Sequence, residues 1–112
     1  MRMIEQRMLS AIRNGRDWRG KNTKVSWGRD GYENTAYVYL FGHLIAKVKQ
    51  DGTVKHASFC GWNTATTRSR LSALGVDTWK LRYDEGHVTQ EEYMAHLRRA
   101  ENERTRRKLM SA

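Results

Sequence analysis

Residues 61–71 constrain the fold most, because the spacing of the apolar residues changes there. Before this stretch, apolar and β-branched residues alternate in short segments, as they do in strands. After it, they recur at intervals of three and four residues, as they do in helices. The stretch itself joins the end of a strand, followed by Trp62, to a threonine-rich helix start that carries Arg68 and Arg70. We therefore expect an α+β fold with the strands grouped before the main helices.

Four short strands are predicted before this point, each rich in aromatic and β-branched residues. They cover residues 23–27, 35–41, 44–49 and 53–59, with turns at 28–31, 42–43 and 50–52. Strands so closely spaced predict an antiparallel meander with one covered face. Alternation places Ala36, Val38 and Leu40 toward the helices. Tyr37 and Tyr39 then lie on the other face, either in solvent or in a second small core beneath the N-terminal helix, and the second core is the favoured alternative.

Four helical segments are predicted around the meander. An amphipathic helix over residues 2–14 precedes it, with Ile4, Met8, Ala11 and Ile12 in one apolar stripe. A short central helix starts at Thr66 or Thr67 and reaches about Leu74. A helical hairpin follows, made of a short helix starting at Asp77 or Thr78 and a last helix that opens at Thr89 with a capping box to Glu92. The polar stretch 101–108 either extends this helix or frays. The predicted division is an α+β domain over 1–76 and a helical hairpin with a basic tail over 77–112.

Charge is concentrated at the two ends of the chain. The 112 residues carry a net charge of +9. Residues 1–21 and 98–108 each hold six basic and two acidic residues, whereas the middle is nearly neutral. Clustered cations attract a polyphosphate backbone and release its counterions. Basic ends that only keep the protein soluble are the alternative.

Several classes of function find no support in the residues. Cys60 is the single cysteine, so no intrachain disulfide forms. No apolar run approaches the ~20 residues of a membrane span, and the N-terminus lacks the apolar stretch of a signal peptide. The four histidines do not form a metal set. Because no phosphate loop or nucleophile elbow is present either, we expect neither enzymatic activity nor a cofactor or metal.

Two motifs resemble a known family. Residues 40–46 (LFGHLIA) and 61–71 (GWNTATTRSRL) resemble a family of small tailed-bacteriophage proteins, which share a β-meander running into a G-W-x-T-x-T-T-[KR]-x-R-L helix start. The resemblance covers about residues 22–75 and implies a phage origin and a fold, but no reaction. Residues 81–98 are similar to short helical hairpins that mediate oligomerisation, which implies a possible homodimer.

Candidate nucleic-acid contacts fall in three groups. In the first, Trp18 stands among cations and can stack on a base or fold back onto the meander. In the second, Arg68 and Arg70 can contact phosphates, or Arg70 can pair with a carboxylate under the sheet while threonine caps the helix. In the third, the basic C-terminal run can lie along a phosphate backbone or bind an acidic host protein. Trp62 is predicted to be a core anchor. The complete candidate set is Arg16, Trp18, Arg19, Lys21, Arg68, Arg70, Arg99, Arg104, Arg106, Arg107 and Lys108.

The sequence therefore predicts a phage accessory protein of the host cytoplasm that binds DNA or RNA, largely through phosphate contacts. The alternative is a protein-interaction module that binds and inhibits or redirects a host factor. In that alternative the helical hairpin is the docking or dimerising element, and Tyr83, Tyr93 and Leu97 are its contact residues.

Overall fold

The computed structural model describes residues 2–110 and has the predicted α+β architecture. Within that range, four helices accompany one five-stranded antiparallel sheet. The elements are, in chain order, α1 Met3–Arg13, β1 Trp18–Arg19, β2 Thr23–Asp30, β3 Glu33–Leu40, β4 His43–Lys49, β5 Val54–Ala57, α2 Ala65–Ala73, α3 Thr78–Asp84 and α4 Gln90–Met110.

The sheet is a simple meander in which β1 to β5 lie side by side in chain order. The prediction gave four strands and missed β1, a two-residue edge strand. Trp18 pairs with Val25, and Arg19 pairs with Lys24. Two residues are too few to show an alternating pattern, so only pairing with β2 identifies this strand.

Two details of the strands differ from the prediction. β2 continues to Asp30, so the turn lies at Gly31–Tyr32 rather than at 28–31. In β4, the register shifts so that Val38 pairs with Ala46 whereas the next residue of β3 pairs with Leu44. Ile45 is therefore an extra residue, a bulge, and it is buried, whereas Leu44 is only half-buried. Regular alternation along 44–49 predicts one face for Leu44, Ala46 and Val48, and this is wrong because the bulge reverses the alternation.

The hydrophobic core lies between one face of the sheet and the helices α1 and α2. Val25, Val38 and Ala46 supply the sheet side, and Met8 of α1 and Leu71 of α2 supply the helical side. All five are inaccessible to solvent. The predicted stripe of α1 therefore packs as expected, because its spacing matches one side of a helix.

Helix caps fix where the central and C-terminal helices begin. The Thr64 hydroxyl accepts the Thr67 N–H at 3.2 Å, so α2 begins before the predicted Thr66 or Thr67. The predicted capping box of α4 is confirmed: the Thr89 hydroxyl accepts the Glu92 N–H at 3.1 Å, and the Glu92 carboxylate accepts the Thr89 N–H at 3.2 Å. Of the two alternatives for residues 101–108, the helix is the one observed, with every side chain exposed.

The helical hairpin of α3 and α4 is held by stacked rings. Tyr83 and Tyr93 stack with centroids 4.9 Å apart, and Trp79 stacks on His96 at 4.4 Å. Glu85, just after α3, accepts the Phe59 backbone N–H at 3.0 Å and so links the hairpin to the end of the meander. The proposed domain boundary at residue 76 stays a prediction.

Candidate nucleic-acid interface

One face of the sheet carries polar and aromatic side chains and lies opposite the face on which α1 and α2 pack; we call it the open face. Cross-strand pairing arranges it in rows. Arg19, Lys24 and Tyr39 are successive partners across β1, β2 and β3. The next row, on β2 to β5, is Ser26, Tyr37, Lys47 and His56. Each tyrosine therefore has a cation as its partner on a neighbouring strand.

Each tyrosine of the open face has a lysine beside its ring. The Lys24 ammonium lies 5.6 Å from the centroid of Tyr39, and the Lys47 ammonium lies 5.8 Å from that of Tyr37. Both distances fall within the ~6 Å range of cation–π attraction. Gly28 makes room for Tyr37, since a Cβ there would stand 3.2 Å from the ring. The rings are thus half-buried, and the predicted second core beneath α1 is wrong because α1 packs on the opposite face.

The open face is electrostatically divided between its two ends. At the β2–β3 turn, Lys55 forms ion pairs with both Asp30 and Glu33 at 3.0 Å. Asp30 also pairs with Lys47 at 3.9 Å, and Glu33 pairs with Lys49 at 3.4 Å. The hydrogen bond from Lys55, reinforced by the charges of the other lysines, lowers the pKa of both carboxyl groups. The same carboxylates raise the pKa of Lys55. This end is therefore neutralised.

The other end of the open face keeps its positive charge. Arg19, Lys21 and Lys24 are exposed, and within residues 2–110 no carboxylate lies within 4.0 Å of their charged groups. With Tyr39 and Phe41 they line a groove of about 490 Å³, which we call the basic groove. Exposed, unneutralised cations beside an aromatic ring suit a phosphate backbone carrying a base.

Phe41 separates the basic groove from a second, apolar cavity. Phe41 and Gly42 form the two-residue turn between β3 and β4, with φ of +50° and +80°. The turn was predicted one residue later. Positive φ is uncommon for a bulky residue, and this one leaves the Phe41 ring 68% exposed. The apolar cavity, of about 340 Å³, is lined by Leu40, Phe41, His43, Ile45, Phe59, Trp62, Thr64 and Thr67.

Trp62 forms the rim of this apolar cavity, and its predicted role as a core anchor is wrong. Its side chain is 59% exposed. Cys60 and Gly61 both have positive φ, +52° and +81°, so the chain reverses after Phe59 and Trp62 projects outward. The ring of His43 lies 5.9 Å from that of Trp62.

Arg70 is buried and takes the structural role of its two predicted alternatives. Its guanidinium, 3% exposed, binds the Glu5 carboxylate at 2.8 Å and the Thr23 hydroxyl at 3.0 Å. Ser69 donates a second hydrogen bond to Glu5. Burial by itself raises the pKa of Glu5, but the hydrogen bonds from Ser69 and Arg70 outweigh it and lower this pKa overall. This cluster joins α1, α2 and β2, and Arg70 is out of reach of a phosphate in solvent.

The other candidate contacts of the first two groups are divided between the protein surface and the core. Arg16 and Arg19 are exposed as predicted. Trp18 lies on the core face opposite Val25, half-buried against the core, which is the second of its two predicted alternatives. Arg68 is half-buried and donates to the Asn63 side-chain oxygen at 3.0 Å, within its own loop.

The third group lies on the last helix. Arg99, Arg104, Arg106, Arg107 and Lys108 are all exposed on α4. These residues belong to the second helix of the hairpin, so the packing of the hairpin determines how far they lie from the open face.

Tyr83 and Tyr93, the predicted partner contacts, are largely engaged with each other in the hairpin. Leu97 is 41% exposed and neighbours Met94, which is 47% exposed. Sequence reasoning left Lys24, Tyr37, Tyr39, Lys47 and Phe41 out of the candidate set. The signal was present for the first four, since alternation along β2, β3 and β4 places them on one face of the sheet.

The side-chain types that ligate metals and the single cysteine are located in the described residues. No group of three or more His, Cys, Asp or Glu side chains converges in the described part of the chain. Cys60 is a free thiol whose Sγ lies 2.9 Å from the Leu44 carbonyl oxygen. Among residues 2–110, no helix combines the length and apolar composition that crossing a membrane requires.

The chain belongs to the Kyanoviridae Gp96 protein family, whose model matches residues 1–110. It is thus a tailed-phage protein, as the resemblance to a phage family implied. Neither the curated proteins nor the solved structures contain a match to it.

Proposed function

We propose that this phage protein is a nucleic-acid-binding accessory protein that holds single strands across the open face of its sheet. The observation that carries the proposal is the pairing of each open-face tyrosine with a lysine, Tyr39 with Lys24 and Tyr37 with Lys47. Aromatic rings on an open sheet stack unpaired bases, and neighbouring cations hold the phosphates between them.

The shape of the surface favours a single strand over a duplex. A flat sheet face lacks the protruding helix or ribbon that enters a major groove. Stacking on Tyr37 and Tyr39 also requires bases that are already unpaired. A single strand can run from Tyr37 past Tyr39 toward the cations of the basic groove, where Arg19, Lys21 and Lys24 are free of carboxylates.

The basic stretch of α4 is the second phosphate-binding element in this proposal. Its exposed arginines, Arg104, Arg106 and Arg107, carry charge but no interleaved aromatic ring. It therefore adds affinity without base contacts, and its contribution falls with salt as counterion release requires. The proposed protein is a binder rather than an enzyme and acts in the host cytoplasm.

Fluorescence anisotropy tests the proposal with labelled single- and double-stranded DNA and RNA at several salt concentrations. We expect single strands to bind most tightly, with log affinity falling by about 0.7 per neutralised phosphate for each unit of log salt. Lys24→Glu should weaken binding and reduce this slope. Arg7→Glu is the matched control, because Arg7 is also exposed but lies on α1, on the covered side of the sheet.

Two results would count against the proposal. Equal weakening by Lys24→Glu and Arg7→Glu would mean that total charge alone drives binding. Unchanged affinity after Arg104→Glu, Arg106→Glu and Arg107→Glu together would remove α4 from the interface while leaving the open face in place.

A protein-binding function is the second candidate, supported by the exposed neighbours Met94 and Leu97 on α4. An apolar contact of this kind, with a host protein or a second copy, survives moderate salt better than phosphate contacts do. Leu97→Ser should then abolish a complex seen in sedimentation, and it should leave oligonucleotide affinity unchanged.

A further inference from the structure

Two cavities of opposite character meet at one side chain. The basic groove and the apolar cavity share Phe41 as a common wall. On one side stand the cations Arg19, Lys21 and Lys24; on the other stand Trp62 and the apolar cavity behind it. A ligand that fills both must combine an anion with a flat apolar group at close distance. A nucleotide unit of a single strand has this composition.

The apolar cavity has the size and the lining of a site for one base. Its volume of about 340 Å³ lies at the lower end of the range for small-ligand pockets. Leu40, Ile45 and Phe59 form apolar walls, and Trp62 and Phe41 offer exposed rings for stacking. His43, Thr64 and Thr67 are the polar residues of the lining. Because the two threonine hydroxyls bond to each other in the cap of α2, the His43 ring is the group that can meet the polar edge of a base.

The backbone around the cavity is held in uncommon conformations on both sides. Phe41 and Cys60, neither of them glycine, have φ near +50°. Asparagine and aspartate adopt this conformation far more readily than an aromatic residue does. Phe41 in this conformation exposes its ring at the junction of the two cavities instead of burying it. The residue therefore adds little to the stability of the fold and is available to contact a ligand.

We propose that the apolar cavity takes one nucleobase turned out of a bound strand, stacked against Trp62 and Phe41, while the adjoining phosphates lie in the basic groove. This inference rests on the proposed binding of single strands to the open face and adds a specific pocket to it. An apolar side chain of a partner protein would fill the cavity but leave Arg19, Lys21 and Lys24 without a counter-charge, so a base is the better occupant.

The test uses single-stranded oligonucleotides in which one position at a time is abasic. For the wild-type protein, we expect one abasic position to lower the affinity between about fivefold and about a hundredfold, the range for one stacked base. Trp62→Ala should lower the affinity for the intact strand by a similar factor and should no longer respond to that abasic position. The two losses should not add, because they remove the same contact.

Two further variants separate the pocket from general effects. Phe41→Asn suits the positive φ and should repeat the result of Trp62→Ala in a protein that is at least as stable. Tyr32→Ala is the matched control, since Tyr32 is fully exposed at the β2–β3 turn, outside both cavities. Thermal melting confirms that each variant is folded before it is titrated.

Three outcomes would overturn the base pocket, and one of them would overturn the binding of single strands as well. If Trp62→Ala binds the intact strand as the wild type does while Lys24→Glu still weakens binding, the base pocket is wrong and the open face stands. If the wild type binds no strand, both are wrong. If Trp62→Ala leaves affinity unchanged and converts a dimer to a monomer, a second copy occupies the cavity and the base pocket is wrong.

Discussion

The two faces of the sheet are built by the same strands and serve different purposes. On the covered face, Val25, Val38 and Ala46 are inaccessible to solvent and pack against α1 and α2. On the open face, Tyr37 and Tyr39 are half-buried under lysines instead of under a helix. The comparison shows that an aromatic strand need not imply a second core, since a cation can lie over a ring that no helix covers.

The arginines of the two sides of the sheet differ in the same way. Arg70 and Arg19 belong to basic clusters that look alike in sequence, yet Arg70 is buried against Glu5 and Arg19 is exposed. A buried guanidinium needs a carboxylate, because an unpaired charge in the interior is costly. Substitutions on the covered side should therefore change folding stability, and those on the open face should change binding.

The largest effect is expected from Arg70→Met. Removing this partner leaves the Glu5 carboxylate buried without a counter-charge, which should lower the free energy of unfolding by about 3–5 kcal/mol. That is a large part of the total for a small domain. Urea unfolding followed by circular dichroism measures it. Arg68→Met, which loses only contacts within its own loop, should cost less than about 1 kcal/mol. Equal losses in the two variants would contradict the structural role of Arg70.

On the open face, Tyr37→Leu with Tyr39→Leu should weaken single-strand binding by about 1–3 kcal/mol for each base that loses its stacking partner. Leucine keeps apolar cover over the strands, so the free energy of unfolding should change by no more than about 1 kcal/mol per site. Tyr32→Leu is the control for both measurements. A large loss of stability with unchanged affinity would instead restore the second small core as the role of these rings.

Acid should weaken the covered side through Glu5. Its pKa is lowered in the folded protein, so the unfolded chain takes up the proton first. The stabilisation from this group is therefore complete above its ordinary pKa of 4.5 and is lost as the pH falls through the lower folded value. Unfolding free energies measured down the acid range should fall more steeply for the wild type than for Glu5→Gln. Parallel curves would contradict the prediction.

The smallest effect on stability is expected where the two cavities meet. Phe41→Asn relieves the positive φ of a bulky residue and gives up only a ring that is already 68% exposed. The free energy of unfolding should rise slightly, by at most about 1 kcal/mol. Destabilisation in thermal or urea unfolding would show that the ring packs in the folded protein.

Much of the fold was predictable from local patterns. The period-two segments located four strands, and Thr89 with Glu92 marked the start of α4 because a capping box is a contact between near neighbours. The core-facing side of Ala36 and Val38 was predicted correctly, because alternation along a strand is also a property of near neighbours. β1 and the Ile45 bulge were not, since each is defined by its pairing with another strand rather than by its own residues.

The candidate site was less predictable. The clustering of basic residues near the N-terminus identified Arg19 and Lys21, and both are exposed at the basic groove. It could not separate them from Arg70, because the burial of an arginine depends on a carboxylate 65 residues away in the chain. Trp62 was assigned to the core because large aromatics usually pack, whereas the positive φ of Cys60 and Gly61 turns it outward.

The amino-acid sequence by itself determined the α+β class, the order of the elements, the α4 cap and the basic ends, because periodicity, capping and charge are properties of neighbouring residues. Only the tertiary structure decided which sheet face α1 covers, which arginine is buried, and that Phe41 stands between a basic groove and an apolar cavity. These depend on contacts between distant segments, whose geometry is set when the strands pair and the helices pack.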